Sequence, residues 1–400
     1  MVRDRPLVGR AIIVIALVVE GFDLQAANLA GPSIVAAFSV TPAQLGPVLS
    51  ASLVGVLVGA ILIGPLGDRH GRRKVIVGSC IAYGLVSLVT VMATSLTQLV
   101  ILRFFVGVGL GGMLPNALAL AAQIAGPRYR ATATGLVGIG ITFGGVVAGV
   151  AAAQLIGDYG WQVMFLLGGI LPLIIALIVH FSLPEGRPQA NDDAVVDSGE
   201  APRPGVRRLL APTYRAQTIA IWFIFAFCLM SGYLLNAWVP LVTRAANFSL
   251  EESAWLTTAF HTGGTIGGIF SSIMLSWNRW RTAGLFALTG AIMLGLAGAV
   301  VWGTAALTIL IVMAGFGVIG TQNAINGATG ATYPEAMRSS GLGWALGIGR
   351  IGSIIGPLVG AAVAGAGFFA PHQFFLIPVV PMIVAAFLAL WLSRRPPLSH

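Results

Sequence analysis

The sequence predicts an all-α membrane protein with twelve transmembrane helices in two halves of six helices each. Hydrophobic residues make up 57% of the 400 residues and charged residues only 9%, whereas a soluble domain carries about 25% charged residues. Apolar stretches of the length that crosses a bilayer, about 20 residues, recur along the whole chain. One polar break near the middle divides these stretches six and six.

The apolar stretches set the expected spans. They cover residues 11–37, 44–66, 74–94, 98–122, 131–156, 162–183, 216–242, 253–276, 282–303, 306–330, 340–364 and 373–393. The break at residues 184–215 is rich in acidic residues and proline, and a segment of that composition cannot bury a core. We therefore expect a cytoplasmic linker there, between an N-terminal half at residues 1–183 and a C-terminal half at residues 216–400.

Basic residues fall almost entirely on one side of the expected membrane. With an even number of spans both termini lie on one side, and that side receives 19 of the 22 Lys and Arg residues. Arg244 alone falls on the opposite side, and Arg103 and Arg350 lie within spans. Because cytoplasmic loops of membrane proteins collect basic residues, we expect a multi-pass protein of the inner (plasma) membrane with both termini in the cytoplasm. The net charge of +9 then needs no nucleic-acid partner.

The first span carries two acidic residues, Glu20 and Asp23. Ionisable groups inside a membrane span are expensive and by default mark a functional site. At a spacing of three residues the two acids share one face of a helix, and that face must look into the protein or into water. Two neighbouring acids titrate as a coupled pair, which suits a carrier of protons.

The fourth span carries a basic residue, Arg103, more than one turn from the outer end that Thr97 and Gln98 mark. An arginine keeps its charge, and inside a membrane it needs a carboxylate or water. Arg103 can therefore oppose Glu20 and Asp23. Two other interpretations stay open, a snorkelling arginine near a helix end and a permanent buried ion pair that ties the first helix to the fourth.

A basic loop with several glycines lies between spans two and three. Its sequence runs Gly64-Pro65-Leu66-Gly67-Asp68-Arg69-His70-Gly71-Arg72-Arg73-Lys74. Gly71 permits a sharp turn, and Asp68 is close enough to pair with a basic residue or to cap the next helix. The loop resembles the signature loop of the major facilitator superfamily, with an ordinary basic loop as the alternative. The resemblance implies a gating role for Gly64, Asp68, Arg69, Gly71, Arg72 and Arg73.

The resemblance extends beyond this loop. Residues 276–281 look like a degenerate second copy that lacks the acid, and residues 102–112 are similar to the superfamily's helix-four motif. The arginine of that motif, here Arg103, is associated with proton coupling. The fifth span has glycines but no proline, unlike the Gly-Pro pair of the superfamily's proton antiporters. This absence favours symport, and a proton-coupled exporter or antiporter of small organic compounds stays as the alternative.

Two further stretches resemble the aromatic acid:proton symporter family, in its hydroxyphenylpropionate and hydroxybenzoate type. They are Glu20-Gly21-Phe22-Asp23 and residues 333–352, and the likeness to the hydroxyphenylpropionate-type members lies around residues 114–116 and 125–130. The resemblance implies a secondary active transporter that imports an aromatic carboxylate with protons by alternating access. Benzoate, hydroxybenzoate and phenylpropionate are the expected substrate types. The chain departs from the family at Glu20, where Asp is usual, and at Gln123, where Glu is common.

The candidate substrate contacts are polar residues within the other spans. A planar guanidinium suits a carboxylate, so Arg350 on span eleven is the preferred anchor and Arg103 the second choice. The remaining candidates are polar residues on spans four, eight and ten: Asn116, His261, Gln322, Asn323 and Asn326. Each has an ordinary alternative, because polar side chains also join helices and a histidine can simply pack.

Motifs for catalysis and for metal binding are missing from the sequence, including His-Glu-x-x-His and Gly-x-Ser-x-Gly. We therefore expect a protein that is not an enzyme and that uses no cofactor and no metal. The expected partners are an aromatic carboxylate, protons and the lipid bilayer, and the expected state is a monomer.

Overall fold

The structure is a computed structural model. It describes the backbone of residues 6–185, 206–274, 277–367 and 370–395, and the side chains of these ranges except residues 6–7, 125–137, 335–336 and 339. Residues 186–205 of the expected linker and Ser276 of the degenerate loop copy lie outside the described residues.

All regular structure in the described ranges is helical. The α-helices are α1 Pro6–Phe38, α2 Gly46–Leu62, α3 Leu66–His70, α4 Arg72–Thr90, α5 Leu96–Tyr159, α6 Gln162–Ser182, α7 Val206–Leu209, α8 Pro212–Ala245, α9 Leu250–Met274, α10 Arg279–Ala299, α11 Thr304–Thr332, α12 Glu335–Ala366 and α13 Val379–Ser393. Two short 3-10 helices, Pro42–Leu45 and Pro371–Leu376, precede α2 and α13. The all-α prediction is confirmed.

Eleven helical stretches within the described residues are long and apolar enough to cross a membrane. They correspond to eleven of the twelve predicted spans. The remaining prediction, residues 253–276, coincides with α9, which has 25 residues. This helix is long enough to cross, but its threonines, serines, glycines and His261 make it less apolar than the others.

The fourth and fifth predicted spans belong to one unbroken helical segment. The sequence predicts a break between them, yet the backbone is helical from Leu96 to Tyr159. Its two apolar stretches, Leu96–Ile124 and Gly138–Tyr159, pack against different partners. The first lies against α2 and the second against α1, so they behave as two spans.

The contacts divide the chain into two compact units. The first unit comprises Met1–Asn191, Ala237–Thr258 and Ala361–Ala366, and the second comprises Asp192–Asn236, Ala259–Gly360 and Gly367–His400. Each unit has its own core, with Leu17, Tyr83, Leu110 and Val179 in the first, and Phe225, Ala283, Ile325 and Ala385 in the second. The halves predicted from the span count, at 1–183 and 216–400, stay a prediction.

Glycines bring helices of the first unit into backbone contact. On α2, Gly55 packs against the carbonyl of Phe104 and Gly59 against that of Val108, both on α5. In return Gly107 of α5 packs against Ser52 of α2, and Gly144 packs against Val18 of α1. A side chain at any of these glycines would overlap the facing carbonyl. Small residues permit such close approach between membrane helices.

The second unit repeats these contacts 208 positions further along. Gly263 packs against Val312, Gly267 against Phe316, Gly315 against Phe260 and Gly352 against Ala226. The pair α8–α12 thus repeats α1 with the second span of α5, and the pair α9–α11 repeats α2 with the first span. We call two residues 208 positions apart repeat partners. Along α1, α2 and α5 they allow a position in the first unit to be compared with the structurally equivalent position in the second.

Candidate functional site

A fully buried ion pair joins α1 to the first span of α5. The Arg103 guanidinium donates from Nη1 to Asp23 Oδ2 at 3.1 Å and from Nη2 to the Asp23 backbone carbonyl oxygen at 3.1 Å. Both side chains are 0% exposed. Arg103 is therefore not a snorkelling arginine, and its charge meets a carboxylate inside the first unit.

Two more helices reach the Asp23 carboxylate. From α4, Ser87 Oγ donates to Asp23 Oδ1 at 3.0 Å. From α6, Gly168 approaches so closely that a side chain there would press on Oδ1, while the Phe165 ring centre lies 5.6 Å from the Arg103 guanidinium carbon. Four helical stretches thus converge on one carboxylate.

The packing of α1 explains why Asp23 faces this cluster. Gly21 lies against the backbone of Ile141, and Val18 lies against Gly144, so this face of α1 touches the second span of α5. A helix turns by about 100° per residue, which places Asp23 about 200° from Gly21. The glycine face therefore directs Asp23 to the opposite side, towards α4, α6 and the first span of α5.

Glu20 lies one turn before Asp23 and is 3% exposed. Its side chain lies near Cys80 and Tyr83 of α4. The two acids of α1 therefore both face α4, Glu20 near Tyr83 and Asp23 at Ser87. Of the three residues predicted to couple protons, the structure brings Asp23 and Arg103 into direct contact and places Glu20 one turn away.

The signature loop turns between α3 and α4. Gly71 has φ +95°, a conformation that glycine adopts without steric cost. Across this turn Arg72 pairs with Asp68 at 3.1 Å, as the spacing allowed. Arg69 is exposed.

Asn116 ties this loop to α5. Its amide nitrogen donates to the Gly64 carbonyl oxygen at 3.1 Å and to the Gly112 carbonyl oxygen at 2.8 Å. Its side-chain oxygen lies against the α-carbon of Gly67, where any side chain would overlap. Both hydrogens of the Asn116 amide are thus donated to backbone carbonyl oxygens. The prediction that Asn116 contacts the substrate stays a prediction.

Arg73 holds the end of α6. Its Nη1 donates to the carbonyl oxygens of His180 at 3.2 Å and Leu183 at 2.9 Å, and its Nη2 pairs with Glu185 at 2.8 Å. The last carbonyls of a helix lack partners within it, and basic side chains satisfy them. The signature loop is therefore anchored to the segment where the expected linker begins.

In the second unit, the region around the start of α10 and the end of α11 is held by hydrogen bonds between neutral groups. Trp280 Nε1 donates to Thr332 Oγ1 at 2.8 Å. Tyr333 donates to Thr218 Oγ1 at 3.0 Å, and Thr218 donates to the Leu209 carbonyl oxygen at 3.0 Å. Burial raises the pKa of the Tyr333 hydroxyl above its usual value, so it stays a neutral donor.

His261 lies in α9 and is 3% exposed. Within the described residues, neither ring nitrogen has a hydrogen-bond partner. The ring meets Phe260 edge-on, with the centroids 5.7 Å apart.

The polar residues of α11 point to different neighbours. Gln322 Nε2 lies against Gly232 of α8, and Asn323 Nδ2 lies against Gly268 of α9. Asn323 also donates to the Ile319 carbonyl oxygen at 3.2 Å. Asn326 is exposed. The three residues share a helix but do not form one cluster.

Arg350 lies in α12 with its side chain half-buried. Its backbone carbonyl accepts from Ser353 Oγ at 2.7 Å. Within the described residues its guanidinium takes part in no ion pair.

Repeat partners show that the two units do not share their polar residues. Asp23 corresponds to Ser231, Arg103 to Ile311 and Glu20 to Cys228, all three fully buried. In the other direction, the second-unit candidates have partners of lower polarity. His261, Gln322, Asn323 and Arg350 correspond to Leu53, Leu114, Pro115 and Thr142. The first unit therefore holds the buried ion pair together with Glu20 and Asn116, and the second holds the remaining candidate polar groups.

This helical fold, with its repeated packing and signature loop, defines a class of membrane transporters. The sequence model of the Major Facilitator Superfamily matches residues 13–345 and 221–400. The chain belongs to this superfamily, and it is not an enzyme.

Similarity to individual relatives shows which group of transporters within the superfamily this chain belongs to. The chain is 31% identical to the 4-hydroxybenzoate transporter PcaK of Pseudomonas aeruginosa, over 91% of this chain and 88% of the relative. It is 33% identical to the 3-(3-hydroxy-phenyl)propionate transporter of Escherichia coli, over 87% of this chain and 84% of the relative. It is 31% identical to the gallate transporter of Pseudomonas putida, over 92% of this chain and 87% of the relative. The predicted membership of the aromatic acid transporters is confirmed.

A solved structure supports the fold alone. A bacterial homologue of the human lysosomal transporter Spinster, in an inward-facing and occupied conformation, matches with a TM-score of 0.76 and 20% identity. The match covers 96% of each chain.

Some residues of the site could not be found from the sequence. Ser87 is one of several hydroxyls in apolar helices, and only the folded structure, which brings Ser87 of α4 to the Asp23 carboxylate, reveals this contact. Phe165 is one of 20 phenylalanines. Of these residues, only Glu185 could have been suspected from the sequence, because it is an acidic residue just after the end of a predicted span.

Proposed function

We propose that this protein is a secondary active transporter that imports an aromatic carboxylate together with protons. The observation that carries the proposal is the buried contact among Asp23, Arg103 and Ser87. The transported acids in the names of the relatives, 4-hydroxybenzoate, 3-(3-hydroxyphenyl)propionate and gallate, support the substrate class.

The ion pair supplies a site for proton coupling. A buried charge that loses its partner is strongly unfavourable, so the charged state of Asp23 fixes Arg103 and Ser87 in place. A proton on Asp23 removes the charge that holds this contact, and the helices become free to rearrange. Glu20, one turn away, is the second proton-binding group. Proton arrival from outside and release inside would then drive alternating access.

Arg350 is the proposed anchor for the substrate carboxylate. Arg103 already binds Asp23 through two hydrogen bonds, whereas the described residues offer Arg350 no ion-pair partner. A guanidinium binds a carboxylate through two parallel hydrogen bonds. Gln322, Asn323, Asn326, Asn116 and His261 are the proposed polar contacts for the rest of the molecule, and Arg103 is the second choice for the carboxylate.

The signature loop is the proposed gate. Its ion pairs Asp68–Arg72 and Arg73–Glu185 lie at the end of the helices that the basic residues assign to the cytoplasm. With both termini on that side, the transporter sits in the inner membrane as a multi-pass monomer. Breaking and remaking these contacts would accompany each transport cycle.

The test is uptake into proteoliposomes of the purified chain. With an inward proton gradient, the Asp23→Asn variant should accumulate at least about tenfold less labelled 4-hydroxybenzoate than the native protein, because the neutral amide cannot exchange a proton. Exchange of substrate across the membrane without a proton gradient should persist. Asp158→Asn, a change of the same chemistry at an exposed residue, should accumulate normally.

Two results would contradict the proposal. Uphill uptake by Asp23→Asn at the unaltered level would remove the proton assignment. Counterflow with neutral or cationic compounds, together with none from benzoates, cinnamates or phenylpropionates, would remove the substrate class and favour the exporter or antiporter.

A further inference from the structure

His261 is buried in α9 with its hydrogen-bonding capacity unused. The side chain is 3% exposed, and both ring nitrogens lack a hydrogen-bond partner among the described residues. The hydroxyls one turn to either side are engaged with their own helix. Thr257 donates to the Ser253 carbonyl oxygen at 3.0 Å, and Thr265 donates to that of His261 at 2.9 Å.

Packing alone does not require a polar residue at this position. The repeat partner of His261 is Leu53, which is 5% exposed. Two residues further along, the two helices have the same glycine contact, Gly55 with Phe104 in the first unit and Gly263 with Val312 in the second. An apolar side chain therefore fills the equivalent place in an equivalent helix pair.

A buried polar group without a partner destabilises a protein. Natural structures keep few such groups, and each exception calls for an explanation. For His261, a ligand that enters the second unit and supplies the missing hydrogen bonds removes the penalty when it binds. A ligand that lacks the matching group leaves the penalty in place and gains nothing from His261.

We propose that His261 hydrogen-bonds a ring hydroxyl of the substrate and so selects hydroxylated aromatic acids over unsubstituted ones. This inference rests on the proposed function and adds a specificity-determining residue to it. A neutral imidazole presents one donor and one acceptor, and a phenolic hydroxyl also donates and accepts. A carboxylate only accepts and is better served by a guanidinium such as Arg350.

The test compares two ligands on the same protein, 4-hydroxybenzoate and benzoate. Counterflow in proteoliposomes gives the apparent affinity for each, and the ratio of the two does not depend on the amount of active protein. In His261→Leu, which installs the residue of the repeat partner, affinity for 4-hydroxybenzoate should fall about tenfold, the order of one hydrogen bond to a group left unpaired. Affinity for benzoate should stay within about twofold.

Two further variants sharpen the result. His261→Gln keeps a donor and an acceptor and should recover part of the preference for 4-hydroxybenzoate. Thr265→Val removes a hydroxyl that is already bonded to its own helix, and should leave the ratio unchanged.

The outcomes separate this inference from the proposed function. If the native protein exchanges neither ligand, nor 3-hydroxybenzoate or 3-(3-hydroxyphenyl)propionate, the proposed function fails and this inference with it. If the native protein exchanges them and His261→Leu changes the affinities for 4-hydroxybenzoate and benzoate by the same factor, or by none, His261 does not read the hydroxyl and only this inference fails.

Discussion

The two units solve the problem of buried polar groups in opposite ways. In the first unit Asp23 and Arg103 satisfy each other, with Ser87 as a third partner. In the second unit the repeat partners of the ion pair are Ser231 and Ile311. Ser231 donates to the Phe227 carbonyl oxygen of its own helix at 2.8 Å, and no charge is involved. The backbone packing is repeated, so the difference lies in the side chains alone.

The same contrast appears at the signature loop and its degenerate copy. The first unit uses the charged pairs Asp68–Arg72 and Arg73–Glu185. In the second unit, Trp280 near the start of α10 instead donates its indole N–H to Thr332 at 2.8 Å. A charged contact exposed to water can open and close at small cost, whereas a buried neutral bond favours a fixed structure. We therefore expect the contacts of the signature loop in the first unit to open more readily than those at Trp280 in the second.

The largest expected effect comes from making the first unit resemble the second at one position only. Arg103→Ile introduces the residue of the repeat partner and leaves the Asp23 carboxylate buried without its cation. Breaking a buried pair in this way costs about 3–5 kcal/mol. We expect a large loss of thermal stability in detergent, measured as the apparent melting temperature.

The double variant completes the comparison. Asp23→Ser with Arg103→Ile reproduces both residues of the second unit, and replacing a whole buried pair is often neutral. It should recover most of the stability lost by Arg103→Ile while remaining without proton-driven uptake. A double variant as unstable as the single one would show that the ion pair itself, and not the unpaired charge, holds the first unit together.

A smaller effect is expected at the neutral end of the second unit. Trp280→Phe keeps the aromatic ring and removes the hydrogen bond to Thr332, which should lower the free energy of unfolding by about 1 kcal/mol. Transport should continue, because the bond is structural. The melting temperature should be unchanged by Trp277→Phe, the matched control at an exposed tryptophan. Loss of transport at normal stability would place Trp280 in the gate.

The smallest effect on stability is expected at Glu185. Its side chain is 54% exposed, and exposed ion pairs contribute about 0–1 kcal/mol. Glu185→Gln should therefore leave the melting temperature nearly unchanged, while the rate of exchange changes if the pair with Arg73 opens in each cycle. Glu251→Gln, at another exposed acid, serves as the control for both measurements. A clear loss of stability would show that the contact is permanent.

The hydrophobic spans and the short motifs could be predicted from the sequence because they depend on neighbouring residues only. The bilayer thickness sets the length of a span, and a tight turn requires particular residues such as Gly71. The helical class, the superfamily and the contact between Asp23 and Arg103 follow from that information. Ser87 was not predictable, because its contact joins residues 64 positions apart whose relative rotation is set by packing. The continuous backbone of α5 was also missed, since the sequence places Gly126-Pro127 between the two spans and suggests an interruption.

The spacing between the two units differs by one residue at one pair of helices. Gly109 packs against Tyr83 and its repeat partner Gly317 against Gly290, so α4 and α10 are 207 positions apart, whereas α1, α2 and α5 keep a spacing of 208. The segment from α2 to α4 is thus one residue longer than its counterpart in the second unit, and the segment from α4 to α5 is one residue shorter. Along α1, α2 and α5, by contrast, a side chain can be replaced by that of its repeat partner, as in Arg103→Ile, at a position with the same backbone contacts.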